Sequence, residues 1–335
     1  MTSGEKRMLE KNRKRKYRKK EKSKTFGSFL LVILLLFSSC TNNEIFPDET
    51  ERVVFVSSVA TQSTDVSSTG EIDEEQTLTI SYLNVGQGDC IFICLPNGET
   101  MLIDAGTASY GNHIVQYIKD SGNDTLNYVI ITHPHADHIG GMSAVLKAFQ
   151  IEQIYMPNVS TNTKTYQTLL QTIYEKNLTI QPTHAGMVLF EEENLRGELL
   201  APIDTNPHNL NNASIVLRLS YYSYDFLFMG DAEQEVETQM LAEHTNVSAD
   251  IIKIGHHGSD TSSSVSFLKA VDPDVAVISV GEDNAYDHPS PNVLTRLQEL
   301  QIDIWRTDEK GTIVVTCDKD HMEMDWEMSD KDLAA

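Results

Sequence analysis

The twelve residues from Ile130 to Gly141, IITHPHADHIGG, restrict the possible structures of this chain more than any other segment. The apolar run that leads into them is typical of a buried strand, and the spaced apolar residues beyond them are typical of a helix. Imidazoles and carboxylates, which bind zinc and similar divalent ions, are concentrated between these two elements. They are His133, His135, Asp137 and His138. The segment therefore predicts a metal site at the end of a strand.

Other polar residues follow other predicted strands. Predicted strands cover 78–85, 90–95, 100–104, 128–131, 151–156, 214–219, 224–229, 250–254, 275–280, 302–305 and 312–316, and predicted helices cover 113–119, 166–174, 233–241 and 293–300. Hairpins interspersed with helices over about 250 residues favour two sheets packed face to face, with helices outside. One edge of such a sandwich can collect the polar residues that end these strands: Asp104, Asp231, His256, His257 and His288.

The N-terminal segment predicts targeting rather than folding. Residues 6–24 are densely basic, and the apolar run of residues 29–37 is short for a membrane span. Ser38-Ser39-Cys40 resembles a bacterial lipoprotein signal, in which Cys40 would be lipidated; the alternative is an uncleaved signal anchor. We expect an anchor in 1–40, a flexible acidic Ser/Thr-rich linker in 41–76 and a folded domain in 77–328. The domain would then lie on the extracellular face of the bacterial membrane, held by lipid.

Charge and cysteine content narrow the functional classes. Twelve of the 26 Lys and Arg residues but three of the 49 Asp and Glu residues lie in 1–40, so a total charge of −23 leaves about −32 on the remainder. An acidic body repels polyanions, which argues against tight nonspecific DNA binding unless metals or a basic patch compensate. We expect Cys90, Cys94 and Cys317 to be buried and not to form a disulfide framework. No protein partner is evident.

Seven motifs in order resemble the metallo-β-lactamase superfamily, and within it the hydrolase domain of ComEC-type DNA-uptake proteins. They are VGQGD (85–89), LIDAG (102–106), HPHADH (133–138), NNAS (211–214), MGDAE (229–233), KIGHHGS (253–259) and YDHP (286–289). The resemblance covers roughly residues 78–317. It implies an α/β fold, a four-layer αββα sandwich.

The resemblance also implies a set of metal ligands, which we carry over residue by residue. His133 and His135 would bind one ion. Asp137 and His138 would bind a second, together with His256 or its neighbour His257. Asp231 would bridge the two ions. Side chains expected to support these ligands are Asp104, Asn212, Ser214 and Ser259, although Asp104 alone could serve a turn and Ser259 could cap a helix.

Two divalent ions, Zn²⁺ or Mn²⁺, would activate a hydroxide and neutralise a phosphodiester. Catalytic roles are expected for Asp137 and for His288 or His257, either of which would protonate the leaving oxygen. The resemblance thus implies an extracytoplasmic phosphodiesterase or nuclease, with DNA as a candidate substrate. The alternatives are a hydrolase of a small ester, thioester or lactam at the cell surface, and a non-catalytic metal-binding lipoprotein.

The chain departs from the family pattern at two places. The histidine usual between HxHxDH and the Gly-Asp is missing, and residues 211–214 stand in its place, as in ComEC-like domains. His208 is close in sequence but is not expected to bind metal. The first ion is therefore expected to be held less firmly or to need an oxygen ligand. Asp287 stands where the family usually has Gly.

Overall fold

Two β-sheets dominate the computed structural model, which describes residues 18–19, 77–204 and 207–327. The strands are β1 (Arg18–Lys19), β2 (Leu78–Tyr82), β3 (Ile91–Cys94), β4 (Thr100–Ile103), β5 (Thr125–Ile130), β6 (Gln150–Met156), β7 (Ile180–Pro182), β8 (Val188–Glu191), β9 (Leu195–Ala201), β10 (Val216–Tyr221), β11 (Tyr224–Phe228), β12 (Ile251–Lys253), β13 (Val275–Ile278), β14 (Asp303–Arg306), β15 (Thr312–Cys317) and β16 (Met322–Glu327). One sheet has the order β1-β16-β15-β2-β3-β4-β5-β6-β7, and the other β14-β13-β12-β11-β10-β9-β8.

Helices connect many of these strands. They are α1 (Gly111–Asp120), α2 (Ala136–Ile139), α3 (Met142–Ala148), α4 (Lys164–Glu175), α5 (Gln234–Ala242), α6 (Val265–Val271), α7 (Pro291–Glu299) and α8 (Thr307–Lys310). Their ends follow from local sequence. The Thr163 hydroxyl accepts a hydrogen bond from Tyr166 N at the start of α4, and Ser290 caps α7, where Pro291 occupies the first turn. Such residues satisfy or avoid the free amides of a helix N-terminus.

Each sheet is buried on both faces. Ile91 and Ile93 enter a core shared by the two sheets, whereas Phe92 between them packs in a second core with α1, α3 and α4. A third core lies between the other sheet and α5, α6 and α7, where it includes Phe267 and Val293. Alternate residues of a strand point to opposite faces, so strands covered on both sides are continuously apolar. The layers are therefore helix, sheet, sheet and helix, and the predicted four-layer αββα sandwich is confirmed.

Some details differ from the sequence-based expectations. Cys90 and Cys317 are buried, but Cys94 is only partly buried, beside Asn123 at 3.9 Å, and all three are free thiols. The last strand, β16, was not predicted. The expected anchor and linker, including Cys40, lie outside the described residues apart from Arg18–Lys19, which pairs in parallel with β16. Among the helices of the described ranges, none combines the length and apolar character needed to cross a membrane.

Candidate active site

The candidate site lies where parallel strands of both sheets end. β4 pairs in parallel with β5, and β11 pairs in parallel with β12, which pairs in parallel with β13. The carboxyl ends of neighbouring parallel strands share one edge, where α/β proteins bind ligands. The residues that follow these ends are Asp104 after β4, His133, His135, Asp137 and His138 after β5, Asp231 after β11, and His256 and His257 after β12. The register of the strands thus brings distant motifs together.

A glycine allows one loop to pack against the central motif. Gly88 has a φ of 149°, and a Cβ there would lie 2.3 Å from the carbonyl oxygen of Asp137. Asp89 N donates to the same oxygen at 3.3 Å. Only glycine permits this approach. The VGQGD motif therefore supports the backbone that carries Asp137.

The first group of potential ligands consists of His133, His135 and Asp231, whose ligand atoms lie within 4.8 Å of one another. His133 Nε2 is 2.9 Å from His135 Nδ1 and 3.6 Å from Asp231 Oδ2. His133 and Asp231 are buried, and His135 is half-buried. The group contains two imidazoles and one carboxylate.

The second group consists of Asp137, His138, Asp231 and His257, again within 4.8 Å. Asp231 Oδ1 is 3.2 Å from His138 Nε2 and 3.5 Å from His257 Nε2, and Asp137 Oδ2 is 3.4 Å from His257 Nε2. Asp231 belongs to both groups. A carboxylate shared in this way is suited to bridging two ions.

Hydrogen bonds to Nδ1 of His138 and of His257 orient the Nε2 atom of each ring toward the site. His138 Nδ1 is 2.7 Å from Asp104 Oδ2, and His257 Nδ1 is 2.9 Å from the carbonyl oxygen of Ser279. An acceptor beside Nδ1 favours the tautomer with its proton there, which leaves the Nε2 lone pair available. These two histidines are therefore prepared to bind metal through Nε2.

Three buried atoms at the centre of the second group test whether a metal fits. Although Asp231 Oδ1 lies 3.2 and 3.5 Å from His138 Nε2 and His257 Nε2, none of the three atoms makes a hydrogen bond of acceptable geometry within the described part of the chain. Buried polar atoms without a partner are costly, so several that face one another call for a shared ligand. Two imidazole nitrogens and a carboxylate oxygen form a donor set for zinc or a similar divalent ion. The residues fit a metal.

His256 lies at the rim, outside both groups. Its Nε2 is 3.8 Å from Asp231 Oδ2, while its Nδ1 is 3.1 Å from Thr261 Oγ1 and 3.4 Å from Glu233 Oε1. His256 and His257 have φ values of 50° and 54°, in the left-handed region that such residues seldom occupy. This turn sends the two adjacent rings in different directions. The sequence left both histidines open as the second-group ligand, and the structure brings His257 into that group.

Asp104 is buried, and its carboxylate contacts residues of the site as well as the turn that it was expected to stabilise. Its Oδ1 accepts from Thr132 N at 2.9 Å, and its Oδ2 accepts from Thr132 Oγ1 at 2.6 Å as well as facing His138 Nδ1. Thr132 Oγ1 also lies 3.1 Å from His133 Nδ1. Asp104 thus touches one potential ligand directly and a second through Thr132.

The other supporting residues are distributed around the ligands. Ser214 Oγ accepts from Asp231 N at 3.1 Å and lies 3.3 Å from His133 Nδ1. Asn212 accepts from Glu233 N at 3.2 Å, which fixes the chain after Asp231. Ser259 Oγ contacts Thr261 rather than a ligand, through the Thr261 hydroxyl at 3.1 Å. It stabilises the turn that follows the two histidines.

Two further histidines were considered from the sequence. His288 is half-buried, with its ring centroid 5.6 Å from that of His256, and its Nδ1 has no hydrogen-bond partner in the described ranges. It lies beside the ligand groups rather than in them. His208 is exposed on the loop before 210–213 and belongs to neither group.

Sequence reasoning assigned no role to Asp89 or Lys253. Lys253 is fully buried, and its Nζ forms an ion pair with Asp89 Oδ2 and donates to Gly230 O at 3.2 Å. Asp89 Oδ1 lies 3.4 Å from His257 Nδ1. A lysine that ends an otherwise apolar strand, together with an aspartate after Gly-Gln-Gly, was the available signal.

The carboxylates shift the protonation of the buried imidazoles. Burial lowers the pKa of His257, but Asp231 and Asp89 outweigh it and raise the pKa to about 9. Burial likewise opposes protonation of His138, whereas Asp231 and Asp104 raise its pKa well above the usual value. Burial raises the pKa of Asp231, but His138 and His257 hold it well below its usual range. In the metal-free site, the buried carboxylates and the protonated imidazoles therefore stabilise one another's charge.

Comparison with known proteins agrees with this geometry. The sequence profile of the metallo-beta-lactamase superfamily matches residues 83–282. The chain is 30% identical over 265 residues to ComE operon protein 3 of Bacillus subtilis (strain 168), covering 74% of this chain and 33% of that protein. It is 28% identical over 253 residues to Recombination protein 2 of Haemophilus influenzae, covering 74% and 30%. It is 29% identical over 250 residues to Competence protein ComA of Neisseria gonorrhoeae, covering 74% and 33%. The chain spans about a third of the length of these relatives. It belongs to the metallo-β-lactamase superfamily of metal-dependent hydrolases.

Proposed function

We propose that this chain is an extracytoplasmic phosphodiesterase that cleaves nucleic acid with two divalent metal ions, zinc or manganese. The observation that carries the proposal is Asp231, which belongs to two adjoining ligand groups. His133, His135 and Asp231 would hold one ion. The second would be held by Asp137, His138, Asp231 and His257, rather than His256.

Bound divalent ions supply an ionised water near neutral pH and neutralise charge on a phosphate. The protein's own residues would orient the metal ligands and transfer protons. Asp104 holds the Nδ1 side of His138, and Ser279 O does the same for His257. Asp137 belongs to the second group but is partly exposed, with 32% of its side chain accessible. It could therefore contact a substrate bound from solvent.

His288 is the imidazole best placed to give a proton to the leaving oxygen, since His257 faces the carboxylates. Burial and the neighbouring His256 lower the pKa of His288. A bound anionic phosphate would favour the protonated ring and so oppose that shift. Proton donation by His288 would then depend on the substrate being in place.

The nucleic-acid substrate is supported by the names of two relatives, Recombination protein 2 and Competence protein ComA. The acidic body opposes long-range attraction of a polyanion. Affinity for nucleic acid would therefore come from the metal centre, which offsets the local carboxylates.

We further propose that the folded domain, 77–328, is attached to the membrane through residues 1–40, with Cys40 lipidated and 41–76 as the spacer. Metabolic labelling with a fatty acid tests this directly. Label should enter the wild-type chain and be lost in Cys40→Ser. Equal labelling of both, or none in the wild type, contradicts lipidation at Cys40 and leaves the uncleaved signal anchor.

The proposed activity is tested with a panel of substrates and metals. Bis-p-nitrophenyl phosphate, DNA and nitrocefin are each incubated with the protein loaded with Zn²⁺ or Mn²⁺. We expect turnover of the phosphodiesters and none of nitrocefin. Turnover of nitrocefin or a small ester alone would indicate a different hydrolase, and bound metal without any turnover would indicate a binding protein.

A further inference from the structure

The segment 281–290, between β13 and α7, forms a rim next to the ligand groups. Asn284 holds this rim in shape. Its Nδ2 donates to Gly281 O at 2.9 Å and to His288 O at 2.6 Å, and its Oδ1 accepts from Tyr286 N and His288 N, both at 3.1 Å. The Asn284 side chain thus makes four hydrogen bonds to the backbone of this segment. The rim is a defined structure that can present side chains to a ligand.

An exposed aromatic ring lies on this rim. Tyr286 is 66% exposed and stacks on His288, with ring centroids 5.8 Å apart and an angle of 26° between the planes. His288 in turn lies 5.6 Å from the His256 ring, whose Nε2 is 3.8 Å from Asp231. The outer face of Tyr286 is therefore accessible to solvent, and only the rings of His288 and His256 separate it from Asp231. A ring this exposed contributes little to the core.

The cavity beside the rim has the wrong charge to hold phosphate. It has a volume of about 790 Å³ and includes His288 in its lining. The charged residues that line it are Glu282, Asp283, Asp287, Arg306 and Asp308. The one cation among them, Arg306, donates to Asp308 at 3.0 Å and to Glu309 at 2.9 Å. Carboxylates accept hydrogen bonds from amino groups of bases.

We propose that Tyr286 is a specificity-determining residue that stacks on a nucleobase adjacent to the scissile phosphodiester. The inference rests on the proposed phosphodiesterase function and deepens it. The phosphate meets the metal ligands while the neighbouring base lies on Tyr286, next to the carboxylate-lined cavity. Bases within a duplex are already stacked and paired, so the substrate class is single-stranded nucleic acid.

Kinetics on two oligonucleotides test the inference. One is a single-stranded oligodeoxycytidine, and the other has the same length but is abasic. Loss of one stacking contact, worth about 1–3 kcal/mol, should raise KM of Tyr286→Ala for the first roughly 5- to 150-fold. KM for the abasic strand should stay unchanged, and Tyr286→Phe should match the wild type. Tyr174→Ala, at another highly exposed tyrosine on α4, is the control.

The outcomes separate this inference from the proposed function. If the wild type cleaves both strands and Tyr286→Ala affects them equally or not at all, stacking is contradicted and the phosphodiesterase stands. If the wild type cleaves neither strand and does not hydrolyse bis-p-nitrophenyl phosphate, the proposed function fails. Fluorescence anisotropy with labelled oligodeoxycytidine then decides on stacking. Weaker binding by Tyr286→Ala, with Tyr286→Phe unaffected, would support a base contact; equal binding by all three would overturn it.

Discussion

Lys253 and Asp89 form an ion pair that is closed to solvent, beneath the potential metal ligands. The pair links the end of β12 to the loop before β3. Asp89 also reaches His257 through its second oxygen at 3.4 Å. The buried lysine thus compensates the charge of a carboxylate that is closed to solvent. This arrangement connects the stability of the fold to the geometry of the site.

Removing one partner of this pair should be far more damaging than removing both. Lys253→Met removes the main cationic partner of a buried carboxylate and should lower the free energy of unfolding by about 3–5 kcal/mol. Lys253→Met with Asp89→Leu should recover part of that loss. Urea unfolding followed by circular dichroism measures both. Arg196→Met is the control and should change little, because Arg196 is only partly buried and its ion pairs with Glu191 and Glu198 remain accessible to solvent.

A loss below 1 kcal/mol in Lys253→Met would contradict this account of the pair. So would a double variant that is no more stable than Lys253→Met alone.

The two adjacent histidines should differ in metal binding. His257→Ala should remove one ion per chain, because its Nε2 faces Asp137 and Asp231 at 3.4 and 3.5 Å. His256→Ala should retain both ions, because that ring lies at the rim. Inductively coupled plasma mass spectrometry on the two purified variants measures the difference. The reverse pattern would show that His256 is the ligand.

Asp104→Asn should weaken metal binding without removing a ligand. The amide keeps an oxygen and nearly the same shape, but it loses the charge that faces His138 Nδ1 at 2.7 Å. Loss of such a partner typically costs 10- to 100-fold in affinity, so we expect a change on the order of this size. Competition with a chromophoric chelator measures it. An unchanged affinity would reduce Asp104 to a structural role beside Thr132.

Metal binding should release protons at pH 7. Because the pKa of His257 is raised to about 9 in the folded metal-free protein, protonation stabilises that state fully below about 6.5, and this contribution is lost as pH rises through 9. A metal binds the neutral imidazole, so affinity should increase with pH until about 9. Titration calorimetry in buffers of different ionisation enthalpy counts the protons. No release at pH 7 would contradict the shift.

The sequence was sufficient for the architecture and for most residues that the structure brings together in the two groups of potential ligands. Apolar strands followed by Asp104, by His133 to His138 and by Asp231 predicted which residues meet, because parallel strands end at a common edge. The sequence could not predict whether His256 or His257 faces the other ligands, because this depends on two consecutive residues with left-handed backbone conformations. Sequence spacing does not report such a turn.

Two other features were beyond sequence reasoning for different reasons. Asp89 and Lys253 are 164 positions apart, so neither one predicts its partner. Strand β16 reads MEMDWE, in which alternating acidic residues have low strand propensity. It forms because Met322 and Met324 enter the core between the sheets while the acidic residues point away. Tertiary burial overrides the local preference there.

The central claim is a two-ion hydrolytic centre that shares Asp231. Metal content and bis-p-nitrophenyl phosphate hydrolysis, measured on the same preparations of wild type and Asp231→Asn, test it most directly. We predict two ions per wild-type chain, activity that is lost on chelation and restored by Zn²⁺ or Mn²⁺, and loss of both ions and activity in Asp231→Asn. Full hydrolysis by chelated wild type, or by Asp231→Asn, would contradict the account.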